Sequence, residues 1–272
     1  MCKTVFRPPG GGFAQITPSP NQSYNAQCPP FPESLPMDNP PASSRQLRKS
    51  QRYFNKLSLA FYDLVLYHFV SKQAWGVSTA VLDQHYARFV SGNHLEVGVG
   101  TGFLLDRVSF PQPQPRLVLM DFSTSCLEKT GKRVARYQPQ AVQQNILQPV
   151  AANLARFDSI AINYVLHCVP GNFREKGIAF ANLSPLLNDN GVLFGSTVLA
   201  KGVPRNRLAK ILLWLFNFIG VFINAGDSPD DLSAALHRNF AEVDLRVTGC
   251  TALFSARKPF RTAAASQTAN TR

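Results

Sequence analysis

The chain has 272 residues, 45% of them hydrophobic, and carries 28 Lys and Arg against 16 Asp and Glu, a formal net charge of +12. That hydrophobic share excludes a wholly disordered chain, and the length suits one large domain or two small ones. The basic excess favours phosphate-bearing partners in general, but five units fall in 45–56 (Arg45, Arg48, Lys49, Arg52, Lys56, with no acid) and four in 257–272, leaving +3 for 57–256.

Residues 1–44 contain ten of the twenty prolines among Gly, Ser, Asn and Gln. Such a stretch buries too little apolar surface to offset its chain entropy and is expected to be a disordered arm. It has no apolar core of the kind a secretory signal requires. Over 50–70, Tyr53, Leu57, Phe61, Leu64, Val65 and His68 recur at spacings of three and four, which predicts an amphipathic helix, and a second helix is expected over 78–90. Short apolar runs bounded by turn residues then predict strands over 94–97, 117–120, 159–162 and 192–198, each followed by enough chain for a helix. Two closing strands are expected over 243–247 and 251–255. Strands apolar on both faces, alternating with helices, argue for an α/β fold with a parallel sheet sandwiched by helices, its last two strands forming an antiparallel hairpin edge. The apolar run over 211–225 is shorter than the ~20 residues of a bilayer span and reads as core or pocket wall, so no membrane span is expected. The layout is an arm over 1–44, a helical segment over 45–90, a core over 91–256 and a basic tail over 257–272.

Five cysteines, odd in number and without a CxxC pair, point to a reduced, cytoplasmic protein. No His, Asp or Glu cluster has metal-ligand spacing, so no metal is expected. Asp227, Asp230 and Asp231 read as the start of a helix, where acids suit the dipole.

The stretch that carries chemistry is His94-Leu95-Glu96-Val97-Gly98-Val99-Gly100-Thr101-Gly102-Phe103. A strand runs into a glycine at every second position, allowing a tight turn and close approach of a ligand to the backbone. The spacing is not the GxGxxG of dinucleotide folds. Glu96 at the strand end would repel a pyrophosphate and attract an ammonium or sulfonium.

This ExGxGxG pattern resembles motif I of the class I S-adenosylmethionine-dependent methyltransferases. Together with Tyr62-Asp63, Trp75, Leu166-His167-Cys168-Val169-Pro170-Gly171, Gly191-Val192-Leu193-Phe194-Gly195, Asn217, Gly220, Asn224 and Asp227, it makes 50–256 similar to a small bacterial and fungal subgroup found beside natural-product genes. The resemblance implies a Rossmann-like, mostly parallel seven-stranded sheet with an N-terminal helical lid over 45–90 and S-adenosylmethionine as cofactor. Glu96, Gly98, Gly100 and Gly102 would cradle its amino-acid end, and Asp121, ending the second strand, would accept from the ribose hydroxyls. Phe122 would pack on the adenine, and Asn145, with Ile146, stands where the family usually has an Asp that takes the adenine amino group. Asn163 ends the fourth strand beside the transferred methyl. Asn163-Tyr164-Val165-Leu166 is not the Asn/Asp-Pro-Pro-aromatic motif of base-directed enzymes, so no nucleic-acid partner is expected. Tyr53, Tyr62 and Trp75 would build the acceptor pocket, with core packing as the alternative for each.

The expected function is in-line methyl transfer to a small apolar metabolite, most simply to oxygen in polyketide-like secondary metabolism. His167 is the candidate general base, and its alternative is to brace the loop. RNA or protein methylation and a non-catalytic cofactor-binding role are the competing readings. The oligomeric state is not encoded in any recognisable pattern.

Overall fold

The computed structural model describes residues 69–150 and 154–261. The proline-rich arm, Tyr53, Tyr62 and nearly all of the helix expected over 50–70 lie outside these residues. The described chain begins with a helical turn, Ser71–Gln73, and the helix α1, Thr79–Phe89. Ser78 caps α1 by accepting the Val81 N–H, and Leu82, Tyr86 and Phe89, four and three apart, form its buried stripe.

Seven strands follow, β1 Asn93–Val97, β2 Arg116–Asp121, β3 Gln140–Gln143, β4 Phe157–Asn163, β5 Leu187–Val198, β6 Phe240–Thr248 and β7 Thr251–Pro259. They form one sheet in the order β3-β2-β1-β4-β5-β7-β6, parallel except for β7, which runs antiparallel to both β5 and β6. The expected mostly parallel sheet with an antiparallel edge is therefore present. The chain moves outward from β1 to β3 and then returns to β4 on the other side of β1. The strand order therefore reverses between β1 and β4, and in open parallel sheets the ligand cleft lies beyond the carboxyl ends of the strands at such a point.

The helices between the strands are α2 Phe103–Asp106, α3 Thr124–Arg133, α4 Phe173–Lys176, α5 Ile178–Leu183, α6 Arg207–Ile219 and α7 Pro229–His237. α2 is a single turn, and Pro111, Pro113 and Pro115 keep the chain beyond it from resuming a helix, because the residue before a proline disfavours helical backbone. One sheet face buries Leu95, Val97, Ile160 and Ile162 against Phe180, Leu183, Leu232 and Leu236 of α5 and α7. The other buries Leu117, Leu119 and Phe194 against Leu82, Tyr86, Leu104 and Leu213. Apolar side chains on both faces of the central strands are thus accounted for by two helical layers.

Two expectations need correction. Arg257, Lys258 and Pro259, assigned to the tail, complete β7: Arg257 stands opposite Glu242 in the ladder and the Lys258 ammonium lies 2.5 Å from the Glu242 carboxylate. Arg261 reaches Asp189 at 2.6 Å. Cross-strand pairing with acids holds these cations on the folded body. Asp227 does not serve the α7 dipole. Ser228 caps that helix, Asp230 and Asp231 occupy its first turn, and Asp227 is fully buried against Lys176.

Phe194 of β5 is wholly buried, with the rings of Tyr86 and Phe89 at 5.2 and 5.5 Å. Phe194→Ala should lower the free energy of unfolding by ~3–5 kcal/mol, read from the urea midpoint, because a rigid aromatic cluster closes poorly over the cavity.

Candidate active site

The loop joining β1 to α2 carries Gly98, Gly100 and Gly102, all with left-handed backbone at φ +69°, +51° and +72°. They are required for different reasons. A Cβ on Gly98 would lie 2.2 Å from a methyl of Val165 in the β4 exit, and one on Gly102 would lie 2.7 Å from a methyl of Thr130 on α3. A Cβ on Gly100 would meet nothing within 4 Å. Gly98 and Gly102 therefore serve the packing of the protein, whereas Gly100 leaves backbone bare on the side a ligand would approach.

The loop is held rigidly. Gly98 N–H donates to Met120 O at 2.7 Å and Gly102 N–H to Val99 O at 2.8 Å. Thr130 Oγ1 donates to Gly100 O and Arg133 to Thr101 O, at 3.2 and 2.6 Å. Asp121, at the end of β2, accepts the Ser123 N–H at 2.8 Å and the Gly100 N–H at 3.4 Å. Burial raises its pKa above the ordinary carboxylate value, and these backbone donors oppose the shift. Each carboxylate oxygen keeps a lone pair for a further donor.

Beyond β3, Asn145 Oδ1 accepts the Leu147 N–H at 3.0 Å, which turns the chain and leaves one lone pair on that oxygen. Ile146 is buried, its carbonyl taken by Asn182, and Phe122 is half-buried beside Asp121. At the end of β4, Asn163 Oδ1 accepts from Ser196 Oγ at 2.9 Å, while its buried Nδ2 has no partner. A buried unpaired donor costs ~1–3 kcal/mol, so the site is incomplete without an acceptor there. Bare backbone at Gly100, spare acceptor capacity on Asp121 and Asn145 and an orphaned donor on Asn163 fit a ligand bearing a diol, an amine and a carboxylate, as S-adenosylmethionine does.

Glu96 is placed differently from the sequence expectation. Its Oε2 accepts a very short hydrogen bond from the Tyr86 hydroxyl and faces His94 Nε2 at 3.2 Å, on the α1 side of the sheet. His94 Nδ1 in turn meets Ser159 Oγ at 2.7 Å. All are buried, so one oxygen of Glu96 is committed to bracing β1 against α1 and β4. Tyr86 lies on a separate helix, and no local spacing in the sequence connects it to Glu96.

His167 sits in a short helical turn, Leu166–Cys168, and is 4% exposed. Its Nδ1 accepts the Val198 N–H at 3.3 Å and its carbonyl accepts the Ile223 N–H at 2.8 Å. With Nδ1 so engaged, the neutral ring carries its proton on Nε2. Burial, and secondarily the charge of Lys176, push its pKa down to about 3. This geometry describes a brace and a hydrogen-bond donor and argues against a general base. Trp75, expected on the pocket wall, is 1% exposed and packs on Phe222 and Phe216, with ring centroids 5.8 and 6.3 Å away. Phe222 also lies 4.3 Å from His167, so Trp75 belongs to the aromatic core behind the β4 exit.

Lys176 completes the support. Its ammonium reaches Asp227 at 2.5 Å, Leu166 O at 3.0 Å and Ile223 O at 3.4 Å, tying the β4 exit to the segment between α6 and α7. Burial raises the Asp227 pKa to about 6 and lowers that of Lys176, and their contact holds both in the charged form. Asp227 belongs to the motif residues, but its pairing with Lys176 does not follow from motif reading, because the two are 51 positions apart.

Gly100→Ala, at a cost of ~1–2 kcal/mol in backbone strain, should weaken S-adenosylmethionine binding measured by calorimetry far more than it lowers Tm. Gly98→Ala, which strikes Val165, should lower Tm as well. His167 titrates near 6.5 in the unfolded chain but at about 3 in the fold. As pH falls from 6.5 toward 3 the unfolded state takes up a proton that the fold refuses, and stability is lost at up to ~1.4 kcal/mol per unit. His167→Gln should flatten that slope in urea unfolding between pH 7 and 4.5.

Residues 95–193 match the family described as a methyltransferase domain. Methyltransferase aurB of Calcarisporium arbuscula is 38% identical over 226 residues, which cover 77% of this chain and 97% of that protein. Demethylluteothin O-methyltransferase of Streptomyces thioluteus is 36% identical over 215 residues, covering 78% and 92%. Among solved structures, the N-methyltransferase NodS from Bradyrhizobium japonicum WM9, in complex with S-adenosyl-l-homocysteine, shares the fold with a TM-score of 0.55. Its sequence identity is 16%, with 79% of this chain and 99% of that one covered. The likeness to aurB extends over nearly that whole protein, the family match over 95–193 includes the glycine loop and β4, and the chain therefore belongs to the S-adenosylmethionine-dependent methyltransferases.

Proposed function

We propose that this enzyme methylates a hydroxyl group of a small, apolar natural product, and that the hydroxyl is acidic, a phenol or an enol. The observation that carries the oxygen reading is the similarity to an O-methyltransferase of which the chain covers 92%. The geometry around His167 narrows the class of hydroxyl. An aliphatic alcohol needs a base to remove its proton, and His167, the histidine nearest the β4 exit among the described residues, accepts a backbone N–H on Nδ1 and stays neutral down to about pH 3. A phenol or enol ionises by itself near neutral to alkaline pH and needs only to be positioned and desolvated.

When bound, S-adenosylmethionine supplies an electrophilic methyl group. The chain's own part is to hold the donor and exclude water. Gly100 admits the ligand to the backbone, Asp121 and Asn145 present acceptors and Asn163 presents a donor. Tyr164 and His167 fix the β4 exit. Tyr164 packs its ring 5.6 Å from His167 and shares a hydrogen bond of 3.3 Å with Ser71 Oγ, which joins the end of the N-terminal helical segment to the cleft. Tyr53 and Tyr62, outside the described residues, are proposed to line the acceptor pocket from that segment. RNA or protein acceptors are not favoured, because the similar O-methyltransferase is named for a small molecule, demethylluteothin. The free thiols Cys126, Cys168 and Cys250 fit a cytoplasmic enzyme. No described helix is long and apolar enough to cross a membrane.

The test is to offer the enzyme matched phenol, enol, aliphatic alcohol and amine acceptors with S-adenosylmethionine and to look by mass spectrometry for products heavier by one methylene. Phenols and enols should react, kcat/KM should rise with the acceptor's own ionisation, and His167→Asn should keep that pH profile. Turnover of amines alone would overturn the reading. A profile set by a group on the enzyme and abolished in His167→Asn would restore the histidine as base.

A further inference from the structure

α6 is apolar on two sides. Ala209 and Leu213 face the core, and Phe216 packs on Trp75 and Phe222. The opposite face carries Arg207, Lys210, Ile211, Trp214, Leu215 and Phe218, at spacings of three and four, all exposed. Trp214 and Phe218 are 67% and 74% exposed and stack on each other, with ring centroids 5.5 Å apart and planes at 10°. The other exposed large apolar residues among those described, Phe69, Ile178, Val247 and Phe260, fall on separate elements.

This face belongs to a well-anchored helix. Asn206 caps its start through the Ala209 N–H, and Gly220 ends it in left-handed backbone. Asn217 exchanges hydrogen bonds with Asn224, whose Nδ2 holds Val198 O at 2.8 Å. The chain fixes a rigid rod about 20 Å long and then leaves its aromatic side bare. Scattered apolar residues need no explanation, whereas a contiguous stripe marks a docking surface.

The charge around the stripe identifies what docks. From Asn190 to Gly226 the chain carries Lys201, Arg205, Arg207 and Lys210 and no acid. All four cations are exposed, and all precede the aromatic pair along or just before the helix. Asn206 Nδ2 donates to Gln73 O at 2.7 Å, so the turn Ser71–Gln73 lies beside this basic end. By composition the stretch 45–56 carries five cations and no acid. A second copy, or that stretch itself, would bring like charge to the face. An anionic surface that also accepts apolar rings satisfies both halves of the helix.

The geometry points to α6 as an interfacial helix that seats this enzyme on an anionic lipid bilayer. Trp214, Phe218, Ile211 and Leu215 enter the headgroup–acyl boundary, while Arg207 and Lys210 contact lipid phosphates. The inference does not depend on which acceptor is methylated. An apolar acceptor concentrated in the same bilayer would share the surface with the enzyme, a consequence that rests on the proposed function.

Trp214 reports on the test directly. The chain has two tryptophans, and the other, Trp75, is 1% exposed. The full-length protein, without cofactor or acceptor, is titrated with phosphatidylglycerol vesicles and separately with phosphatidylcholine vesicles, following emission and acrylamide quenching. The expected result is a blue shift and loss of quenching with phosphatidylglycerol only, reversed by salt. Replacing both Arg207 and Lys210 by Gln should weaken vesicle binding by about fivefold per charge. Phe218→Ser should abolish the blue shift while leaving Tm within a few degrees of the parent. Three results would overturn the inference. One is no response to phosphatidylglycerol, and another is equal response to both lipids. The third is a Trp214 already shielded from acrylamide before lipid is added, whether by a second copy, seen as a dimer in sedimentation, or by another segment of the chain. Each leaves the O-methylation reading standing.

Discussion

The cleft depends on one close contact, the seat of Val165 on Gly98. β1 and β4 lie side by side in the sheet, with Val97 opposite Ile162, and each must turn away at its carboxyl end without striking the other. A side chain at position 98 would collide with Val165, so the two exits can meet only if that position has no Cβ. With the two exits in contact, a Cβ at Gly100 would still meet nothing within 4 Å, and Asn163 is left with a buried donor and no acceptor. Both features lie where the two strands end, the place at which open parallel sheets hold their ligands.

Two buried polar groupings hold that arrangement from opposite sides. On the α1 face, Tyr86, His94, Glu96 and Ser159 form a hydrogen-bonded chain linking α1, β1 and β4. On the other side, Lys176 gathers Leu166 O, Ile223 O and Asp227. Burying charge is expensive unless its partners are in place, so each grouping specifies one arrangement of the elements it joins. His167 follows Leu166 in the same turn, with its carbonyl and Nδ1 both bonded to backbone. Its neutrality follows from that enclosure. The catalytic burden then shifts to the acceptor's own acidity and to positioning.

The same economy of local pattern explains why α6 was hard to read. Its apolar residues are continuous enough to suggest core, and the inward half is core. Periodicity alone does not say whether a helix that is apolar all round is covered on both sides. Trp214 and Phe218 are separated from the buried Leu213 by one and five positions, yet they face away from it. Only the packing of Ala209, Leu213 and Phe216 against the sheet decides which side remains outside.

The amino-acid sequence by itself determined the strand–helix alternation, the glycine loop after β1, the carboxylate at the end of β2 and the family, because periodicity, backbone freedom and short-range spacing are local properties. β3, Gln140–Gln143, is mostly exposed and has no apolar run to mark it, and the charged residues that extend β7 on an exposed edge resemble a tail. The tertiary structure alone decided which oxygen of Glu96 is committed to Tyr86, which nitrogen of His167 carries the proton, that Asp227 belongs to Lys176 and which face of α6 is bare. Each of these is a choice of partner or of desolvation made by residues far apart in the chain, and such choices exist only once the sheet has brought them together.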